Sequence, residues 1–194
     1  MFEIIHCAAG CGRPAISGHE LCAIHSADPS KEVARIAEYI LSKKTINDLN
    51  AAGLNFEGYD FSSHNFSGCN FTDAVFRNCN FSKTIIYLSF FDFATFIDCD
   101  FTESDIQFVS FGGAEIIGTK FNGSELLQIS FCGAKITDCD FDSSDLYNGR
   151  FINSCITDTK ITDCNVKNVF LINSKQENVN FKSSNTYETI TEIE

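Results

Sequence analysis

Four potential metal ligands lie close together near the start of the chain. Cys7, Cys11, Cys22 and His25 follow the spacing Cys-x3-Cys-x10-Cys-x2-His. Two ligand pairs separated by a loop are typical of tetrahedral zinc sites, which thiolates and imidazoles form readily. Four protein ligands leave no open position for a catalytic water, so we predict a structural zinc site.

The sequence around these ligands is similar to a small bacterial and phage CCCH zinc motif. It reads Gly-Cys-Gly-Arg-Pro-Ala at 10–15 and Glu-Leu-Cys-Ala-Ile-His at 20–25. The resemblance implies a zinc-binding segment of a kind sometimes found beside nucleases. His6 and His19 are alternative histidine ligands. Nucleic-acid contact needs basic side chains, and the segment offers essentially Arg13, so domain stabilisation or protein docking is favoured over DNA contact.

A five-residue period follows this segment. An apolar residue, most often Phe, occupies every fifth position from Phe56 to Phe181, and only Gln176 departs from the pattern. A period of five residues fits neither a helix nor a continuous strand, but it fits a short strand followed by a corner. If the apolar residue is the centre i, residue i−2 also points inward and is small. Residue i+2 turns the chain and is rich in Gly, Asn and Asp.

Four such sides close a square coil of 20 residues. Successive coils would pair as strands about 4.8 Å apart, so residues 20 apart stack into ladders. One ladder runs from Phe61 to Phe181, and the ladder on the opposite face runs from Phe71 to Leu171. The sequence therefore predicts an all-β solenoid of about six and a half coils.

The repeating unit resembles the A(D/N)LXX unit of the pentapeptide-repeat family, for example Cys-Asn-Phe-Thr-Asp at 69–73 and Ser-Asp-Leu-Tyr-Asn at 144–148. The resemblance implies a right-handed quadrilateral β-helix in an interaction protein. The best-understood subgroup consists of acidic rods that resemble B-DNA and bind type II topoisomerases such as DNA gyrase. Some of those carry loops that interrupt the repeat, which this sequence lacks. They also dimerise through a C-terminal module that residues 185–194 resemble only loosely.

A helical segment is predicted between the metal ligands and the repeats. Asp28 suits the N-cap and Pro29 the first turn, and an apolar stripe follows from Val33 to Leu41. We also predict a second short helical turn over 46–52 that stops at Gly53. The first coil of a solenoid needs a cover, and the helix is predicted to provide it. The predicted organisation is a zinc-binding motif at 1–27, a helical cap at 28–53, a β-helix at 54–184 and a tail at 185–194.

The acidity of the chain belongs to the repeats. The net charge is −12, and residues 51–194 hold twenty acidic and nine basic side chains. Such a body should not bind nucleic acid or an anionic membrane directly, and a basic protein surface suits it better. Two acidic stripes are predicted to bind that partner: Asp105, Glu125 and Asp145, and Asp98, Asp138 and Asp158.

A cluster of large apolar residues occupies positions that should face outward. Exposed clusters of this size usually mark contacts. We predict that a partner, a second chain or the N-terminal helix covers this apolar patch, which consists of Tyr87, Leu88, Phe90, Phe93 and Phe108.

Composition suggests a compartment and limits the chemistry. Seven of the ten cysteines lie within the repeats, mostly where Ala, Ser or Thr is otherwise found, as free thiols do in a reducing cytoplasm. The first residues do not resemble a secretory signal, and no apolar run is long enough to span a bilayer. The chain has no nucleophile elbow, P-loop or dinucleotide fingerprint, so we predict no catalytic residues and no enzyme activity.

The leading prediction is a non-catalytic protein–protein interaction protein. Its sharper form is a DNA-mimicking acidic rod that binds a topoisomerase or another basic protein. A self-assembling scaffold element, for which a homodimer would be one form, is an alternative. A second alternative is a nucleic-acid adaptor guided by the zinc motif.

Overall fold

The computed structural model describes residues 5–192, in which the repeats form a parallel β-solenoid of about seven turns after one α-helix. The ends of the predicted motif and tail, residues 1–4 and 193–194, lie outside the described residues. A 3₁₀ turn, Thr186–Glu188, follows the last coil. The helix is α1 (Pro29–Leu41), and the strands are β1 (Thr45–Asn47), β2 (Asn55–Glu57), β3 (Asn65–Ser67), β4 (Val75–Arg77), β5 (Ile85–Tyr87), β6 (Thr95–Ile97), β7 (Asp105–Gln107), β8 (Glu115–Ile117), β9 (Glu125–Leu127), β10 (Lys135–Thr137), β11 (Cys155–Thr157) and β12 (Lys175–Glu177).

The strands and bridges divide the solenoid into four faces, named here in chain order. Face A is the sheet β1-β3-β5-β7-β9, and face C is the sheet β2-β4-β6-β8-β10-β11-β12. Face B is a ladder of single bridges from Asn50 to Ile190, and face D is a similar ladder from Asp60 to Asn180. Every strand pair is parallel and joins residues 20 apart, such as Ile86 and Ile106. The square coil of 20 residues is confirmed.

Stacked rings fill the interior as the ladders predict. On face D, the ring centroids of Phe81 and Phe101 are 4.7 Å apart, and those of Phe121 and Phe141 are also 4.7 Å apart. On face B, Phe111 stacks on Phe131 at 5.0 Å. The small i−2 residues are buried beside them, and the hydroxyls among these donate to backbone carbonyls, as Thr84 Oγ1 does to Phe81 O at 2.6 Å.

Every corner requires a left-handed backbone at position i+2. All such residues from Asp48 to Ser183 have positive φ values. Gly, Asn and Asp accept this conformation at little cost, whereas side chains with bulky Cβ substituents do not. Leu88, Phe93 and Phe108 nevertheless occupy three of these corners, with φ values of 48°, 57° and 55°.

The solenoid begins earlier than predicted. Residues 45–47 form β1, which pairs with β3, so the predicted second helical turn at 46–52 is wrong. Ile46 and Ala51 are buried centres of the five-residue phase, and Leu49 occupies the inward i−2 position between them. Consecutive inward positions in this phase are two or three residues apart, and a spacing of three also matches a helix. Helical periodicity was therefore the wrong interpretation of this stretch.

Helix α1 begins where predicted and covers the first coil. The side chain of Asp28 accepts a hydrogen bond from Lys31 N at 3.1 Å, and Pro29 occupies the first turn. Ile36, Ala37 and Ile40 are each 1% exposed and belong to the same core as the first coil. The helix therefore shields the apolar end of the solenoid. Within residues 5–192, no helix is both long enough and apolar enough to cross a membrane.

Polar residues close the other end of the seven-stranded sheet. The final strand, β12, reads Lys-Gln-Glu, and all three of its residues are exposed. Gln176 lies where a buried apolar centre would otherwise stand, and its Nε2 donates to Ser174 Oγ at 2.9 Å. Charged edge strands oppose edge-to-edge pairing.

Candidate metal centre and interaction surfaces

Two short backbone elements bring the predicted metal ligands together. The first is a loop closed by Cys7 N–H, which donates to Arg13 O at 2.9 Å, and by a bridge between His6 and Pro14. The second is a single turn in which His25 N–H donates to Cys22 O at 3.1 Å. The loop orients Cys7 and Cys11, and the turn places Cys22 and His25 on one side.

The four ligand atoms of Cys7, Cys11, Cys22 and His25 all lie within 4.8 Å of one another. The His25 Nδ1 atom is 3.4 Å from Cys7 Sγ and 3.5 Å from Cys22 Sγ, and Cys11 Sγ is 3.8 Å from Cys22 Sγ. Tetrahedral zinc with ordinary bond lengths requires sulfur–sulfur separations of about 3.8 Å and sulfur–nitrogen separations of about 3.6 Å. The cluster has the size and donor set to bind a metal.

Local hydrogen bonds favour thiolates at two of the ligands. Donation from the backbone of Cys22 lowers the pKa of Cys7 to about 6, and donation from the backbone of Arg13 lowers the pKa of Cys11. Burial raises the pKa of the Cys22 thiol, which favours its protonated form. Hydrogen bonding to Cys7 raises the pKa of His25. A bound cation would offset the burial of negative sulfur at Cys22.

The two alternative histidines do not belong to this cluster. His19 Nδ1 accepts a hydrogen bond from Leu21 N at 2.9 Å, and its Nε2 lies 3.8 Å from the Glu32 carboxylate. His6 is exposed and lies in the bridge to Pro14.

The metal segment is attached to both the helix and the first coil. Arg35 donates to the buried Glu32 carboxylate through Nε at 2.9 Å and Nη2 at 2.7 Å, and Nη2 also donates to Ser17 O at 2.7 Å. Ser17 N–H donates to Asn50 O at 2.8 Å, and Asn50 N–H donates to Ser17 Oγ at 2.7 Å. These bonds extend the face B ladder onto the metal segment and protect its first edge. Sequence periodicity carries no signal for them.

The first acidic stripe lies in register on face A. Asp105 pairs with Glu125 in neighbouring strands, and Glu125 forms a bridge with Asp145. None of the three carboxylates takes part in an ion pair among the described residues. Their side-chain contacts are neutral, such as Gln107 Nε2 with Asp105 at 2.8 Å. No cation among the described residues therefore compensates the charge of the stripe.

The second acidic stripe lies on a different side of the solenoid. Asp98, Asp138 and Asp158 occupy the corner between faces C and D, where their φ values are positive. Asn178 Nδ2 donates to Asp158 at 3.0 Å. This corner does not border face A, so a flat partner that lies on face A cannot contact the second stripe.

Face D shows how charges are compensated elsewhere. Asp100, Lys120, Asp140 and Lys160 succeed one another along its bridge ladder. The Lys160 ammonium is 3.3 Å from the Asp140 carboxylate. The sign of the charge therefore alternates along this ladder.

The apolar patch is exposed. The patch surrounds the corner between faces A and B, except for Phe93, which lies at the corner between faces B and C. Helix α1 does not cover the patch. The alternative in which the N-terminal helix covers the patch is therefore wrong. The exposed fractions are 40% for Tyr87, 49% for Leu88, 44% for Phe90, 67% for Phe93 and 42% for Phe108.

Fold and repeat together define a class, namely parallel β-solenoids built from five-residue units. The family model described as pentapeptide repeats matches in eight copies, with residues 50–86 as the matched range. The matched repeats are those of the pentapeptide-repeat family, whose proteins are typically non-catalytic. Among curated proteins, none matches significantly.

Three solved structures illustrate the likeness. HetL, a pentapeptide repeat protein involved in heterocyst differentiation regulation from the cyanobacterium Nostoc sp. strain PCC 7120, is 13% identical; the match covers 83% of this chain and 96% of HetL, with a TM-score of 0.35. Rfr23 from the cyanobacterium Cyanothece 51142 is 13% identical over 82% of this chain and 99% of its own, with a TM-score of 0.29. Full-length QnrB1, a plasmid-mediated fluoroquinolone resistance protein, is 17% identical; the match covers 72% of this chain and 83% of QnrB1, with a TM-score of 0.24. Similarity at these levels says nothing about function.

Proposed function

We propose that this protein is a non-catalytic binding protein whose acidic solenoid engages a basic surface of a protein partner. The observation that carries the proposal is the stripe of Asp105, Glu125 and Asp145, which is in register and free of ion pairs among the residues described. Like charges one coil apart repel, so the stripe destabilises the free protein slightly. A cationic partner would relieve that repulsion.

A type II topoisomerase is the specific partner that we propose. Enzymes that act on DNA bind it in basic channels. DNA itself is a rod whose phosphates carry negative charge at regular spacing along each strand. The solenoid offers a carboxylate about every 4.8 Å along its stripe. Because the second stripe lies on a corner that does not border face A, a partner that encloses the rod could contact both stripes.

The metal cluster has a supporting part in this proposal. Cys7, Cys11, Cys22 and His25 would hold a structural zinc, because four protein ligands leave no position for a reacting water. Zinc would fix the segment that carries Ser17, which is bonded to both Arg35 and Asn50.

One observation disfavours the scaffold alternative. The exposed edge of β12 is Lys-Gln-Glu, so stacking this sheet end to end would bring charged side chains against a second edge. The nucleic-acid adaptor is opposed by the net charge of −12.

Binding of purified DNA gyrase to the immobilised protein, measured at two salt concentrations, tests the proposal. We expect the triple variant Asp105→Asn, Glu125→Gln, Asp145→Asn to bind several-fold more weakly than wild type. Raising the salt should weaken wild type more than the variant, because screening acts within about 8 Å at physiological ionic strength. Equal binding by wild type and the triple variant at both salt concentrations would refute a role for the stripe.

A further inference from the structure

Face A carries two parallel rows of outward side chains. On one side of each buried centre lie Ile85, Asp105, Glu125 and Asp145, and on the other lie Tyr87, Gln107, Leu127 and Tyr147. The first row consists of Ile85 and the acidic stripe, and the second is mostly aromatic or aliphatic. The two positions are about 6.6 Å apart along the strand. A carboxylate row and an apolar row therefore share a single face.

The adjoining corner adds apolar surface at an energetic cost. Leu88 and Phe108 stand one coil apart with φ values of 48° and 55°, and the Tyr87 and Phe108 rings meet edge to face at 5.4 Å. The same corner is occupied two and three coils further on by Asn148 and Asn168, which suit a left-handed backbone. Leu88 and Phe108 thus combine an unfavourable conformation with exposure to water. Strain of this kind gathers at functional positions.

Two cations next to face A are already paired. Lys167 follows Tyr147 in the apolar row, and its Nζ lies 3.7 Å from the Glu188 carboxylate. Lys83 lies at the corner between faces D and A, and its Nζ is 3.5 Å from Glu103. Neither of these ion pairs includes the stripe, so the negative charge on face A stays available to a ligand.

We propose that face A binds an amphipathic α-helix of a protein partner, with basic residues over the acidic stripe and apolar residues over Tyr87, Leu127 and Phe108. This inference rests on the proposed function and names the element of the partner that is recognised. Residues i, i+3 and i+7 of a helix share one side and rise by about 4.5 and 10.5 Å. Carboxylates on successive coils lie about 4.8 and 9.6 Å apart. A helix about 10–12 Å wide also spans both rows.

The probe is a synthetic helix of about 18 residues with lysines at i, i+3 and i+7 beside a stripe of leucines. Two further peptides match it: one of the same composition in scrambled order, and one with each lysine replaced by glutamate. Affinity for the full-length protein is measured by fluorescence anisotropy. The basic amphipathic helix should bind at least about tenfold more tightly than either matched peptide.

Three sets of variants dissect the site. The triple variant Asp105→Asn, Glu125→Gln, Asp145→Asn removes the stripe. The double variant Leu88→Asn, Phe108→Asn removes apolar surface and installs the residue that the same corner uses elsewhere, so its melting temperature should equal or exceed that of wild type. The control variant Asp98→Asn, Asp138→Asn, Asp158→Asn removes three charges from the opposite corner.

We expect the first two variants each to weaken helix binding by about tenfold or more, and the control to change it by less than about twofold. A loss of affinity in the control as large as that in the stripe variant would overturn the site on face A. If the stripe variant lost affinity for the probe helix and the double variant Leu88→Asn, Phe108→Asn did not, recognition of an amphipathic helix would be overturned. Failure of the wild-type protein to bind the probe helix would also overturn helix recognition. The proposed function is tested separately, by measuring binding of gyrase to the same variants.

Discussion

Removal of one ring from the middle of the solenoid should destabilise it strongly. The Phe111 side chain is fully buried, and its ring stacks between those of Phe91 at 5.2 Å and Phe131 at 5.0 Å. Phe111→Ala would leave a cavity between these rings. Phe111 N–H donates to Ser130 O at 2.7 Å, and such coil-to-coil bonds prevent the coils from closing over it. Lost burial and an unfilled cavity together should lower the free energy of unfolding by about 3–5 kcal/mol.

The assay is urea denaturation followed by circular dichroism, with Asn80→Ala as the matched control. Asn80 points outward, and its Oδ1 accepts a hydrogen bond from Ser82 N at 2.9 Å. Loss of one such turn bond should cost about 1 kcal/mol or less. Equal destabilisation by the two substitutions would refute the assignment of inward and outward positions.

Three further predictions concern the metal segment and the thiols. Freshly prepared protein should contain about one zinc per chain, and a chelator should make residues 5–27 sensitive to protease while the solenoid persists. A metal-free preparation would contradict this. Among the thiols of the repeats, the exposed Cys155 should react first with a thiol reagent. The buried Cys69, Cys139 and Cys164 should react only on unfolding, because burial raises their pKa to about 11, 12 and 11 respectively. Arg35→Ala would leave the buried Glu32 without its cation, so it should cost about 1–2 kcal/mol and open the metal segment to protease, and an unchanged digestion pattern would count against that anchor.

The repeated part of the fold could be predicted from sequence because one local rule recurs. The five-residue period assigns the buried centres, and the 20-residue coil is sufficient to place Asp105 beside Glu125 on neighbouring strands. The ligand spacing likewise singles out the four residues that the fold brings together. In each case a short-range pattern determines the geometry.

The rest depends on contacts that no periodic pattern encodes. Ile46 and Leu49 are three residues apart, which fits a helix as well as a coil, and only pairing of β1 with β3 decides between them. The bonds from Arg35 to Ser17 and from Asn50 to Ser17 join residues far apart in the chain. The exposure of the apolar patch also depends on where helix α1 packs, which is a tertiary outcome.

The most direct test of an acidic rod that substitutes for nucleic acid is DNA supercoiling by gyrase in the presence of the protein. We predict that wild type alters supercoiling at low salt and less so at high salt, because a basic channel occupied by the rod cannot hold DNA. The variant Asp105→Asn, Glu125→Gln, Asp145→Asn should have a weaker effect at the same concentration. Supercoiling that proceeds unchanged at saturating wild-type protein and low salt would contradict the account.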